Sequence, residues 1–135
     1  MPFFGPPSFQ SISGSPTDNA ALSASLTAKQ DKSLALNAQT GTTYTLALGD
    51  AGGLVTLSNA GAITLTVPTN ASVAFPVGTQ IFLRQIGAGQ VTVAAAGGVT
   101  LQSYNSNLKI TGQHAGCSLI KEATNTWSVQ GNLSA

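Results

Sequence analysis

The side chains best equipped for proton transfer, nucleophilic attack or metal binding are few in this 135-residue chain: Asp18, Asp31, Asp50, Glu122, His114 and Cys117. Glycoside hydrolysis needs two carboxyl groups at a set separation across a sugar. Asp18 belongs to a helix start and Asp31 to a junction, which leaves Asp50 with Glu122, and neither lies in a supporting motif. A metal centre needs several ligands close together. His114 stands in the turn Gly112-Gln113-His114-Ala115-Gly116 with only Cys117 nearby, so no metal site and no cofactor are expected. A single cysteine excludes an intrachain disulfide, and the apolar neighbours of Cys117 predict a small buried side chain.

No nucleophile elbow, HExxH, phosphate-binding loop, EF-hand loop or dinucleotide fingerprint occurs. Gly87-Ala88-Gly89 lacks the following helix and lysine that complete a phosphate cradle. The chemistry that remains is recognition without catalysis. Neutral sugars bind to flat rings with polar neighbours, and Tyr104, His114 and Trp127 are the candidates, although alternation places Trp127 in the core. The chain is expected not to be an enzyme.

Charged residues make up 7% of the sequence and the formal charge is +1, against roughly 25% charged residues in an ordinary soluble domain. Lys29, Lys32, Arg84, Lys109 and Lys121 form no tract, so neither nucleic acid nor an anionic membrane surface is an expected partner. No apolar run approaches the roughly 18 residues of a membrane span, and the first ten residues lack the basic and apolar regions of a secretory signal. With so little charge to keep copies apart, an assembly component is favoured over a free monomer.

These residues must be positioned by three segments: an arm (1–14), a helix with its junction (15–33) and a β domain (34–135). The arm holds Pro2, Pro6 and Pro7 among Phe3, Phe4 and Phe9. Proline excludes it from an interior helix or strand, and burial would gain about 1.5–3 kcal/mol per ring, so the three rings are expected to anchor on a neighbouring subunit or host structure, with folding back on their own domain and a loose tail as the alternatives. Ser15-Pro16-Thr17-Asp18 reads as a capped helix start, with Ser15 at the cap and Pro16 at the first helical position. Leu22 and Leu26, four apart, give the helix a thin apolar stripe. That stripe packs either about an oligomer axis or on the surface of the domain.

Beyond residue 34 the pattern is period-two alternation broken by Gly, Asn and Pro. Inward rows are predicted at Tyr44, Leu46 and Leu48; at Val55 and Leu57; at Ile63, Leu65 and Val67; at Ile81, Leu83 and Gln85; at Val91 and Val93; and at Cys117, Leu119, Trp127 and Val129. The segment 74–93 reads as a hairpin turning at Gly87-Ala88-Gly89, with Phe82 and Arg84 facing outward or toward a subunit partner. The pair VTLSNAGAITLTV and QVTVAAAGGVTLQS shares a loose strand, turn, strand pattern. Short strands without room for crossover helices predict an all-β fold: a small antiparallel β-sandwich, jelly-roll-like, preceded by a Pro/Phe-rich arm and one short helix.

The stretches LSASLTAKQDK, YTLALGDAGGLVTLSN, ITLTVP, FPVGTQIFLRQIGAGQVTV and TNTWSVQGNLSA together resemble the carboxy-terminal β domains of tailed-bacteriophage fibre and virion-surface proteins. The resemblance covers residues 22–135 and carries no catalytic motif. It implies a homotrimer on the virion surface, made in the host cytoplasm, with Phe3, Phe4 and Phe9 at the anchor and Leu22 and Leu26 near the trimer axis. With almost no shaft between arm and head, a capsid decoration (cement) or head-fibre protein held to the major capsid protein by residues 1–14 is the expectation. The alternative is a receptor-binding tail fibre or tail-tip protein that recognises a host surface glycan. Leu22, Leu26, Phe82 and Arg84 are the expected oligomer contacts.

Overall fold

A computed structural model of the chain describes residues 16–30 and 33–135. The expected anchor, Phe3, Phe4 and Phe9, lies outside the described residues, as does Asp31. The chain divides into two units after Ser33.

In the first unit, Pro16–Gln30 forms helix α1, with Pro16 in the first turn, where its missing N–H has no intrahelical partner to lose. Leu22 and Leu26 are 60% and 51% exposed. Two leucines among alanines and serines bury too little to hold a lone helix firmly.

The second unit contains eleven strands: β1 (Leu36–Gln39), β2 (Thr43–Thr45), β3 (Leu54–Leu57), β4 (Ile63–Val67), β5 (Gln80–Gln85), β6 (Val91–Ala95), β7 (Thr100–Gln102), β8 (Lys109–Ile110), β9 (Gly116–Ala123), β10 (Thr126–Gly131) and β11 (Leu133–Ser134). They form a six-stranded sheet, β1-β3-β5-β9-β10-β7, and a five-stranded sheet, β11-β8-β6-β4-β2. Both sheets contribute to one buried cluster, in which Val55, Leu57, Ile81 and Leu83 meet Ile63, Leu65, Val67, Val91 and Val93. The predicted inward rows are therefore the core, except that Tyr44 is only half-buried at its edge and Leu48 is exposed. Leu48 is 57% exposed in a short 3-10 turn that follows β2.

Both sheets are mixed, and this corrects the antiparallel expectation. β1, β3 and β5 run parallel in one sheet, and β2, β4 and β6 run parallel in the other. The chain thus alternates between the sheets and winds as a short coil, each turn stacking on the last. β8 and β9 run against these strands, antiparallel to β6 and β5; β11 and β10 in turn pair antiparallel with β8 and β9, and β7 joins β10 in parallel. The segment 74–93 is consequently no hairpin. β5 bonds to β3 and β9, β6 bonds to β4 and β8, and Gly87-Ala88-Gly89 carries the chain from one sheet to the other.

Stacking is specified at these corners. Leu54 stands on Phe82 and Ile63 on Val91, so β3, its corner and β4 repeat as β5, its corner and β6 at a single sequence offset. The true repeat is LVTLSNAGAITLTV on FLRQIGAGQVTVAA, displaced from the pairing suggested by composition. Asn59 joins three consecutive corners: its Nδ2 donates to the Thr40 carbonyl at 2.7 Å, its Oδ1 accepts from Gly61 N–H at 2.8 Å, and its carbonyl accepts from Gly89 N–H at 2.8 Å. Gln85, buried beneath the third corner, donates to the Gly87 carbonyl and accepts from Val91 N–H, both at 3.1 Å.

Candidate functional site

A β-strand presents alternate residues to opposite faces, so register determines which residues share the outer face of the six-stranded sheet. One row across five strands is Leu36, Leu54, Phe82, Ser118 and Gln130. The next places Ala38, Thr56, Arg84 and Gly116 side by side. The predicted outward parity of Phe82 and Arg84 matches this face: Phe82 is half-buried and Arg84 is exposed.

Two glycines on this sheet stand where neighbouring backbone leaves no space for a side chain. A Cβ on Gly116 would lie 2.5 Å from the Leu83 carbonyl oxygen, and one on Gly131 would lie 2.6 Å from Cys117 Cα. Both line a groove of about 480 Å³ together with Leu34, Leu54, Phe82, Arg84, His114 and Gln130, among others. His114 reaches it with φ at +69°, its N–H donating to the Gln85 carbonyl at 2.7 Å. The Arg84 guanidinium has no hydrogen-bond or ion-pair partner among the described residues. Chemically, the groove offers an apolar wall, glycine backbone and one free cation, a combination suited to binding.

The three sugar-binding candidates are not brought together. Tyr104 is 85% exposed and lines a separate cavity of about 210 Å³ with Asn107, Gln130 and Leu133. His114 belongs to the larger groove. Trp127 is a core residue, 1% exposed, and meets Phe75 edge-to-face at 5.5 Å. It presents no open ring face to a sugar, because its strand parity points it between the sheets.

Two polar clusters escape sequence reasoning. Asp50, which begins the glycine turn Asp50-Ala51-Gly52-Gly53, is 5% exposed. Its carboxylate accepts from Asn37 Nδ2 at 2.8 Å, Tyr44 OH at 2.7 Å and Ala47 N–H at 2.8 Å. Asn37 and Tyr44 lie on the edge strands β1 and β2, where the coil begins, and they close its interior with polar groups. Burial, then the hydrogen bond and charge of Asp50, push the Tyr44 phenol up to about 12. Between the ordinary phenol value near 10 and about 12, the unfolded chain has lost a proton that the folded chain keeps, so stability falls as pH rises through that window. Denaturant midpoints measured from pH 9 to 12 should decline in the wild type, with a shallower decline in Tyr44→Phe.

Lys121, on the inward face of β9, is 2% exposed. Its ammonium donates to Asn70 Oδ1 at 2.6 Å and to the Phe75 carbonyl at 2.7 Å, and lies 6.0 Å from the Trp127 ring centroid. It is therefore a structural cation, and Asp50 with Glu122 forms no pair: Asp50 is bound to Asn37 and Tyr44, whereas Glu122 is exposed.

Cys117 faces inward beside Leu119, and burial pushes its thiol up to about 12. Thiolate is the reactive form. Alkylation by iodoacetamide at pH 8 should therefore be at least about a hundredfold slower in the folded chain than in urea; equal rates would contradict a closed core at this position. Among the described residues, no group of three or more His, Cys, Asp or Glu side chains is placed to hold a metal ion. Compared with known protein families and with curated protein sequences, the chain matches none of them.

Proposed function

We propose that this chain is a non-enzymatic structural protein of a bacteriophage virion, a capsid decoration or head-fibre protein anchored through residues 1–14. The observation that carries the reading is the outer face of the six-stranded sheet, where Leu36 is 71% exposed beside Leu54 and Phe82 in one continuous apolar row. Such a row on a charge-poor protein marks a surface made to be covered. The wound, glycine-locked coil beneath it provides a rigid support, and Leu22 and Leu26 give α1 a second surface for self-association.

The tail-fibre alternative draws on a different observation, the exposed Tyr104 beside the smaller cavity, where a ring could stack on a glycan. Incorporation separates the two. A decoration protein saturates sites on assembled capsids, and deletion of residues 1–14 abolishes that binding while the β unit keeps its thermal transition. Undiminished decoration by the truncated chain would reject the anchor. Adsorption of the purified protein to host cells, with inhibition of infection, would instead favour the tail role.

A further inference from the structure

We infer that the outer face of the six-stranded sheet pairs with the same face of a second copy of this chain across a two-fold axis, Arg84 of one subunit meeting Glu122 of the other. The outward positions of this sheet carry only two charges. Arg84 is on β5, opposite Gly116. Glu122 follows the inward Lys121 on the same strand as Gly116 and is exposed. Neither has a hydrogen-bond or ion-pair partner among the described residues. They stand at opposite ends of the face, separated by six residues of strand, about 20 Å, and have opposite signs. A surface arranged in this way is complementary to itself when turned end for end, which is the requirement of an isologous contact.

The apolar groups obey the same symmetry. The midpoint between the two charges falls at the level of Leu119, which pairs with Ile81. An axis lying in the face at that level, perpendicular to the strands, sets the row of Phe82 and Ser118 on the row of Gln80 and Ile120 of the other copy. It also brings Leu36 over Leu34, two residues earlier along the chain; these side chains are 71% and 46% exposed. Phe82 of one copy and Ile120 of the other thus share the central facing rows, Leu36 meets Leu34 along the β1 edge, and the ion pairs close both ends, with the charges at the rim. This contact is additional to any association through Leu22 and Leu26 of α1, and it does not depend on the virion reading: incorporation into a particle can fail with pairing intact, and pairing can fail with incorporation intact.

The test is a charge exchange in the full chain, read by size-exclusion chromatography with light scattering at tens of micromolar. Arg84→Glu alone and Glu122→Arg alone each set like charges together at both ends, and each should halve the mass of the assembly, with the dissociation constant rising about a hundredfold. The double variant Arg84→Glu/Glu122→Arg restores opposite signs and should return the wild-type mass. Because both residues are exposed, folding is unaffected. The pairing is overturned if the wild type is monomeric, which would leave the face to another occupant. It is equally overturned if either single variant keeps the wild-type mass, or if the double variant remains at half of it.

Discussion

Gly89→Ala is expected to cost about 3 kcal/mol or more, a large part of the roughly 5–15 kcal/mol that holds a domain folded. A Cβ at this position falls on the Gly61 carbonyl oxygen and within 2.8 Å of the Asn59 carbonyl oxygen. Both obstacles are backbone in the corner beneath, so no side-chain rotation relieves the overlap. The same corner contributes the Asn59 carbonyl to which Gly89 N–H donates, and separating the corners would break that bond. Gly97→Ala is the control, since a Cβ there meets nothing within 4 Å; it should change stability by less than about 0.5 kcal/mol. Urea denaturation of the two variants beside the wild type measures the difference. Equal midpoints would mean that the corners do not stack.

The second large effect is expected at Lys121. Lys121→Ala removes a buried stem from beside Trp127 and leaves the Phe75 carbonyl and Asn70 Oδ1 without their donor. Cavity and lost hydrogen bonds together should cost about 3–4 kcal/mol. Lys121→Met restores most of the volume but neither bond, and should fall between alanine and the wild type. An alanine variant within 1 kcal/mol of the wild type would show that the ammonium contributes little beyond its own cost of burial. Thermal denaturation followed by Trp127 fluorescence suits this series, because the ring adjoins the altered group.

How far this fold was legible depended on which physical rule each residue obeys. Alternation identified Val55, Leu57, Ile63, Leu65, Ile81, Leu83, Val91 and Val93 as core residues, because each strand has one face buried between the sheets. The same rule assigned Phe82 and Arg84 to the outside. Alternation is silent about which sheet receives the next strand. A Gly-rich corner that turns the chain beside itself and one that carries it to the opposite sheet leave the same inward pattern, so the sequence of 74–93 reads equally well as a hairpin. The distinguishing signal was present in the repeat LVTLSNAGAITLTV and FLRQIGAGQVTVAA, whose common offset sets Gly87 and Gly89 over Asn59 and Gly61.

The polar interior was less legible. Asp50 precedes Ala-Gly-Gly and Lys121 precedes Glu122, and neither local sequence names a buried partner. Their partners, Asn37, Tyr44, Asn70 and the Phe75 carbonyl, lie in other segments and are assembled by the fold. Of the proposed interface, Phe82 and Arg84 were visible from parity alone. Leu36, Ile120 and Glu122 joined them only through the pairing of β1, β3, β5 and β9.

The central proposal, a structural role on the outside of a capsid, is tested most directly by a side-chain-resolution reconstruction of the phage particle proposed to carry this chain. The β unit should be visible on the capsid exterior, with residues 1–14 seated on the major capsid protein. A chain found only in the tail, or missing from the particle, would contradict that proposal.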